Sequence, residues 1–259
     1  MRATSYYKAE SLSKAYEMLK ENPKNTIIAG GLWLKKLGGS YETLIDLSGL
    51  GLDKIEEDKD SIKIGAMVSQ REFETSPVIK SLLGGTVAFS AREVMGPAFR
   101  NMATIGGSVY GRYPFSDVIA GLLMLDVELV FYPEQKMSLK DYLSLKGKID
   151  GILTHIIIKK SEGKGYFKKV KTTALDFPML NVAISKRDGK YFIAVGSRPM
   201  VACYAEKAME AANAGKSFEE VGRIASEELS FADSANISAQ YRKDLTAVYV
   251  RRGLEEVSK

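Results

Sequence analysis

The chain has 259 residues, of which 45% are apolar and 27% charged, with a formal net charge of +5, the make-up of an ordinary globular protein. No apolar stretch approaches the ~18 residues of a membrane span, and the basic residues are scattered, so neither a membrane nor a nucleic acid is an expected partner. A single cysteine, Cys203, and a single histidine, His155, exclude an internal disulfide and a four-thiolate cluster, leave little basis for a multi-histidine metal site or a Ser-His-Asp triad, and fit a reducing cytoplasm.

The opening residues carry no signal-peptide apolar region and lead into a helix expected over 11–19, where Leu12, Ala15, Met18 and Leu19 share a face. Asn22-Pro23-Lys24-Asn25 ends it. A buried strand follows over 26–29 and runs into Gly30-Gly31. Short strands are expected over 43–47 and 61–65. Ser69-Gln70-Arg71-Glu72 is a capping box that opens a helix; Pro77 interrupts it, and it resumes over 78–83. A further helix is expected over 86–95 and is broken by Gly96-Pro97.

Next comes Ala103-Thr104-Ile105-Gly106-Gly107-Ser108, a small-residue segment read as a loop, with Arg100-Asn101 before it and Asp117 after it. A helix over 114–124 and strands over 127–132 and 152–159 complete the first part. Ser161-Glu162-Gly163-Lys164-Gly165 is the expected boundary between a domain over 1–160 (subdomains about 1–55 and 56–160) and one over 161–259. The second part reads as a three-stranded meander over 166–170, 180–186 and 190–195. Asp188-Gly189 turns its last hairpin, and helices follow over 205–212, 217–229 and 238–257. Strands and helices do not strictly alternate, which indicates an α+β fold.

The chemistry lies in the two glycine doublets. A Gly-Gly step lets backbone approach a ligand where a Cβ would collide, and successive amides in such a turn form an anion nest. A doublet alone reads first as a tight turn, the default use of glycine; Gly38-Gly39 and Gly84-Gly85 lack the strand-then-loop setting. Neither candidate is Gly-x-Gly-x-x-Gly or Gly-x-x-x-x-Gly-Lys-Ser/Thr, so Rossmann and P-loop readings fail.

Taken together, four segments give the chain its family resemblance: Ala29-Gly30-Gly31; Arg100-Asn101 with 103–108; Pro114-Phe115-Ser116-Asp117 with Leu122-Leu123-Met124-Leu125-Asp126; and Ser238-Ala239-Gln240-Tyr241-Arg242 with Val250-Arg251-Arg252-Gly253-Leu254. It resembles the FAD-binding medium subunit of the molybdenum hydroxylases, the xanthine dehydrogenase and carbon monoxide dehydrogenase group. The resemblance implies a vanillyl-alcohol-oxidase-type FAD-binding domain of two α/β subdomains, then a C-terminal domain with a three-stranded antiparallel sheet and helices. It further implies an electron-transfer subunit of a heteromeric oxidoreductase. A large subunit would carry molybdopterin and a small subunit [2Fe–2S] clusters. Electrons would pass through FAD here to NAD or another acceptor, and this chain alone would not turn over the organic substrate.

Carried over by position, the resemblance places Ile27, Ile28, Ala29, Gly30, Gly31, Leu32 and Trp33 along the flavin. Thr104, Gly106, Gly107 and Ser108 would hold the pyrophosphate through N–H and hydroxyl donors, and Asp117 would bond the cofactor's polar chain. Val94 and Met95 would line the adenine. Leu153 and Lys169, or Lys168 by a shift of one, would meet the flavin from later strands. No catalytic or metal-ligating residue is implied. Three positions depart from the family pattern: Leu32-Trp33 replaces small polar and Asp, Asn or Glu residues, Ser108 replaces Asn, and Thr172-Thr173 replaces an arginine pair. The Trp33 indole either stacks on the cofactor or plugs its place. A stand-alone flavin reductase of the same fold and a scaffold that has lost FAD are the competing readings.

Overall fold

The computed structural model describes residues 1–235 and 237–259. The chain opens not on a helix but on β1 (Arg2–Lys8), which pairs in parallel with β3 (Ser40–Asp46), Arg2 opposite Ser40 and Lys8 opposite Asp46. Six of the seven β1 residues are exposed, so the strand lacks the apolar alternation that would announce it. β2 (Thr26–Ile28) pairs in parallel on the other side of β3. α1 (Leu12–Glu21), capped by Ser11 accepting from the Lys14 amide, joins β1 to β2, and α2 (Leu32–Leu37) joins β2 to β3.

A second, antiparallel sheet has the order β4 (Ile55–Glu57), β5 (Ser61–Gly65), β8 (Ile152–Lys159), β6 (Asp126–Tyr132) and β7 (Gln135–Ser138). Between β5 and β6 come α3 (Gln70–Thr75), α4 (Pro77–Ser81), α5 (Thr86–Arg92), α6 (Pro97–Met102), α7 (Ile105–Gly111) and α8 (Asp117–Leu122). α9 (Leu139–Ser144) follows β7. Two expected helices are shorter than their apolar runs. α5 stops at Arg92, and Met95 has a φ of 43°, outside the helical region. α8 starts at Asp117 because Ser116, not Pro114, is the cap, its hydroxyl accepting from the Ile119 amide.

The third sheet holds four strands rather than three, in the order β12 (Cys203–Tyr204), β11 (Lys190–Gly196), β10 (Leu180–Arg187) and β9 (Gly163–Val170). Two residues are too few to carry a period, which is why β12 was not legible. α10 (Glu206–Asn213), α11 (Phe218–Glu228) and α12 (Ala239–Ser258) cover one face. Val182 and Ile184 pack there with Val250 and Leu254. The opposite face presents Phe167, Lys169, Asn181, Ala183 and Ser185 toward α8: Ser185 donates to the Met124 carbonyl, and Phe167 and Ala183 join the core of the second sheet. This alternation at period two puts Lys169 on the face toward α8 and turns Lys168 to the Tyr249 ring on α12, 5.6 Å away.

Candidate functional site

The first glycine segment leaves β2 and opens α2. Gly31 has a φ of 68°, a region that L side chains enter at a cost. Among the described residues the amides of Gly30, Gly31, Leu32 and Trp33 have no backbone acceptor, as expected of a first helical turn without a capping side chain. A Cβ on Gly30 would lie 2.6 Å from the Met102 carbonyl carbon and overlap its oxygen. The two glycine segments are therefore in backbone contact.

The second segment is not a loop but the start of α7. Thr104 is its cap, Oγ1 accepting from the Gly107 amide at 3.0 Å. The Ile105 amide donates to Val68 O at 2.9 Å, Gly106 to Ala66 O at 3.0 Å and Ser108 to Thr104 O at 3.1 Å. All four amides thus have protein acceptors: Thr104 takes those of Gly107 and Ser108, and the chain's own 66–68 segment takes those of Ile105 and Gly106. Gly106 answers the same packing, since a Cβ there would lie 2.7 Å from Ala66 Cα.

Arg100 organises the far wall. It is 4% exposed; Nε donates to Glu74 at 2.8 Å, and Nη1 donates to the carbonyls of Val94 and Met95, each at 2.8 Å. One buried guanidinium ties α6 to α3 and to the 94–95 turn. Burial pushes the Glu74 carboxyl up, but hydrogen bonds and charge from Arg100 and Arg71 overcome it, so its pKa lies below the ordinary 4.5. A depressed carboxylate stabilises the fold above its unfolded pKa, and the contribution is lost as the pH falls through the folded value. Glu74→Gln is expected to flatten the acid limb of a stability-versus-pH curve by about 1–2 kcal/mol. Parallel curves for the two proteins from pH 7 to pH 3 would contradict the assignment.

At the seam between α8 and the third sheet, Asp117 and Lys169 form an ion pair at 2.9 Å with both side chains 2% exposed. Asn181 donates to the same carboxylate at 3.2 Å, and Lys169 also donates to the Glu93 carbonyl at 2.9 Å. Burial pushes the Asp117 carboxyl up, while Lys169 and Asn181 pull against it. Of the three ammonium donors, two are accounted for.

Trp33, Val94, Met95, Ser108, Asp117 and Lys169 line one cleft. Sequence reasoning missed Gln70, Tyr113, Phe115 and Phe177, which also line it. Gln70, 3% exposed, donates to Ser108 Oγ at 2.7 Å. Trp33 packs on Tyr113 at 4.9 Å, Phe115 at 4.7 Å and Phe177 at 5.8 Å between ring centroids. Lys36 Nζ lies 5.1 Å from the Trp33 ring. These rings leave a cavity of only about 30 Å³ in the cleft, room for little more than a water or two. Leu153 does not line it: the side chain, 5% exposed, belongs to the core of the second sheet. Ile27 packs beneath the first sheet, and Ile28 lies under Gly31. The cleft combines a buried cation and aromatic walls, and of the segment 30–33 only Trp33 lines it. A cation beside stacked rings suits a ligand with an anionic group and planar rings.

The comparisons with known proteins point the same way. The family model described as "FAD binding domain in molybdopterin dehydrogenase" matches residues 2–159. The uncharacterized protein YgfM of Escherichia coli is 27% identical over 186 residues, 71% of this chain and 70% of the relative. The nicotine 6-hydroxylase medium subunit of Paenarthrobacter nicotinovorans is 26% identical over 278 aligned positions, 98% of this chain and 97% of the relative. Among solved structures, carbon monoxide dehydrogenase from Hydrogenophaga pseudoflava superposes with a TM-score of 0.88 at 23% identity, covering 98% of this chain and 97% of its counterpart.

Proposed function

The chain belongs to the family of FAD-binding domains of molybdopterin dehydrogenases, and from that premise we propose that it is the electron-transfer medium subunit of a molybdenum hydroxylase. It would take electrons from [2Fe–2S] clusters on a small subunit and pass them to NAD or another acceptor. A large subunit would hold the molybdopterin and the organic substrate, so this chain alone does not turn that substrate over. One observation carries the reading: residues from four separated segments, Trp33, Val94–Met95, Ser108–Asp117 and Lys169, converge on one cleft.

When bound, the flavin supplies a ring that accepts and releases electrons singly or in pairs. The free amides at 30–33 bind anionic oxygens. Lys169, held by Asp117 and the Glu93 carbonyl, keeps a positive charge in the cleft with one donor to spare. That charge favours added electron density on a neighbouring ring. Val94 and Met95, clasped through their carbonyls by Arg100, form the wall assigned to the adenine. Trp33, Tyr113 and Phe115 exclude water. Thr172 and Thr173 lie exposed on the turn between β9 and β10, beside the cleft residue Phe177, and are assigned to the partner or acceptor side. No helix among the described residues is long and apolar enough to cross a membrane; a cytoplasmic complex is the proposed setting.

Trp33 is the only tryptophan and sits in the cleft, so its fluorescence reports on ring packing there. Titration of the purified chain with FAD is expected to quench Trp33 emission to saturation at one FAD per chain, with yellow absorbance bands that survive desalting. Unchanged emission and a colourless protein would favour the reading in which the aromatic cluster is a permanent plug and the chain a scaffold.

A further inference from the structure

A second cavity, of about 320 Å³, opens at the C-terminal end of α8 and shares no lining residue with the first cleft. Arg198 lines it and is 5% exposed. Its Nη atoms donate to the carbonyls of Ser230 at 3.0 Å and Val201 at 3.1 Å and to Cys203 Sγ at 2.9 Å, while Nε has no acceptor. Among the described residues no carboxylate pairs with this guanidinium. Glu206, on the same cavity wall, is taken by Lys140 at 2.6 Å. Glu228 is committed to the first amides of α10, Lys207 at 3.0 Å and Ala208 at 2.9 Å. Burial pushes the Cys203 thiol up, which keeps it neutral near pH 7. The cavity wall therefore carries one uncompensated positive charge.

A buried cation without a counter-charge is costly unless something supplies one. The rest of the wall is mixed: Leu123, Leu143, Met200 and Val201 give it an apolar side, and the paired Lys140 and Glu206 a polar one. The volume lies at the small end of organic ligand pockets. We propose that this cavity binds a small organic carboxylate, its anionic head on the Arg198 guanidinium and its apolar body against Leu123, Leu143, Met200 and Val201. The site stands apart from the cofactor cleft but is joined to it through α8. Asp117 begins that helix and Leu123 is its C-cap, and the Leu123 carbonyl accepts from Tyr204 at 2.7 Å.

Benzoate and acetate, titrated calorimetrically into the full chain at fixed ionic strength, test the proposal. Saturable benzoate binding at one site per chain is expected, with acetate at least about tenfold weaker because it buries no ring. Arg198→Gln is expected to weaken benzoate by at least about tenfold with the circular dichroism spectrum retained. Should that variant not fold, Leu143→Trp fills the cavity from α9 without replacing the guanidinium and is expected to abolish binding. No saturable benzoate binding by the unaltered chain, equal affinities for benzoate and acetate, or unchanged benzoate affinity in either folded variant would overturn it.

Discussion

Asp117→Ala is expected to destabilise the protein by about 3–5 kcal/mol, because removing one member of a buried ion pair strands the other charge. Lys169, 2% exposed at its side chain, would keep only the Glu93 carbonyl as partner. The released ammonium also loses its position in the cleft, so FAD affinity is expected to fall by about 10- to 150-fold, the worth of a hydrogen bond to a charged group. Lys169→Met should cost a comparable amount, since it leaves the carboxylate with Asn181 alone. The double variant Asp117→Ala/Lys169→Met should be less damaging than the sum of the singles, because no charge remains to be stranded. Urea denaturation of the four proteins closes the cycle. Additive losses, or a loss below 1 kcal/mol for Asp117→Ala, would mean that the pair is not the seam between α8 and the third sheet.

Gly30→Ala is the second large effect. One added methyl would overlap the Met102 carbonyl oxygen and lie 2.6 Å from its carbon. No rotamer relieves a collision between a Cβ and backbone, so α6 and the 29–33 segment must move apart. Overpacking of this kind costs about 1–3 kcal/mol. The displacement carries the free amides at 30–33 away from the opposite wall, so FAD affinity is expected to drop by at least about tenfold, roughly the loss of one good hydrogen bond. Gly31→Ala is the matched control. A Cβ there meets only the Ile28 side chain, at 3.3 Å, and the penalty is the left-handed backbone, φ 68°, worth about 1–2 kcal/mol. Thermal scans with and without FAD separate the two: Gly30→Ala should lose most of the FAD-induced rise in Tm and Gly31→Ala should keep more of it. Equal behaviour would show that backbone contact between the glycine segments does not set the cleft.

The comparison with the relatives also bears on Trp33. At a position where the family resemblance implies a short polar side chain, this protein has an indole packed on Tyr113, Phe115 and Phe177. The four rings come from residues 33, 113, 115 and 177, and no local pattern links them. The departure was legible in the sequence, but the neighbours that give it meaning were not.

Much of the fold could be read from neighbouring residues. The capping box at Ser69, the helix cap at Ser217, the strands through 152–159 and 180–196, and the two glycine doublets all announce themselves through period, cap chemistry or composition. So did the family resemblance, which rests on motif order and spacing. The amides of Ile105 and Gly106 were a different matter, since their acceptors lie nearly forty residues earlier, at Val68 and Ala66. Lys168 and Lys169 could not be separated until β9 paired with β10, with Lys169 opposite Asn181. The pairing then assigned Lys169 to the face toward α8 and Asp117. β1 stayed hidden because it is held by backbone pairing to β3 with almost no buried side chain. Helix starts, strand alternation and glycine turns are decided by torsions and side chains a few residues apart, so the sequence by itself determined them. Which donor meets which acceptor, and which charge is stranded if its partner goes, depends on burial created by segments far apart in the chain, and only the tertiary structure decided that.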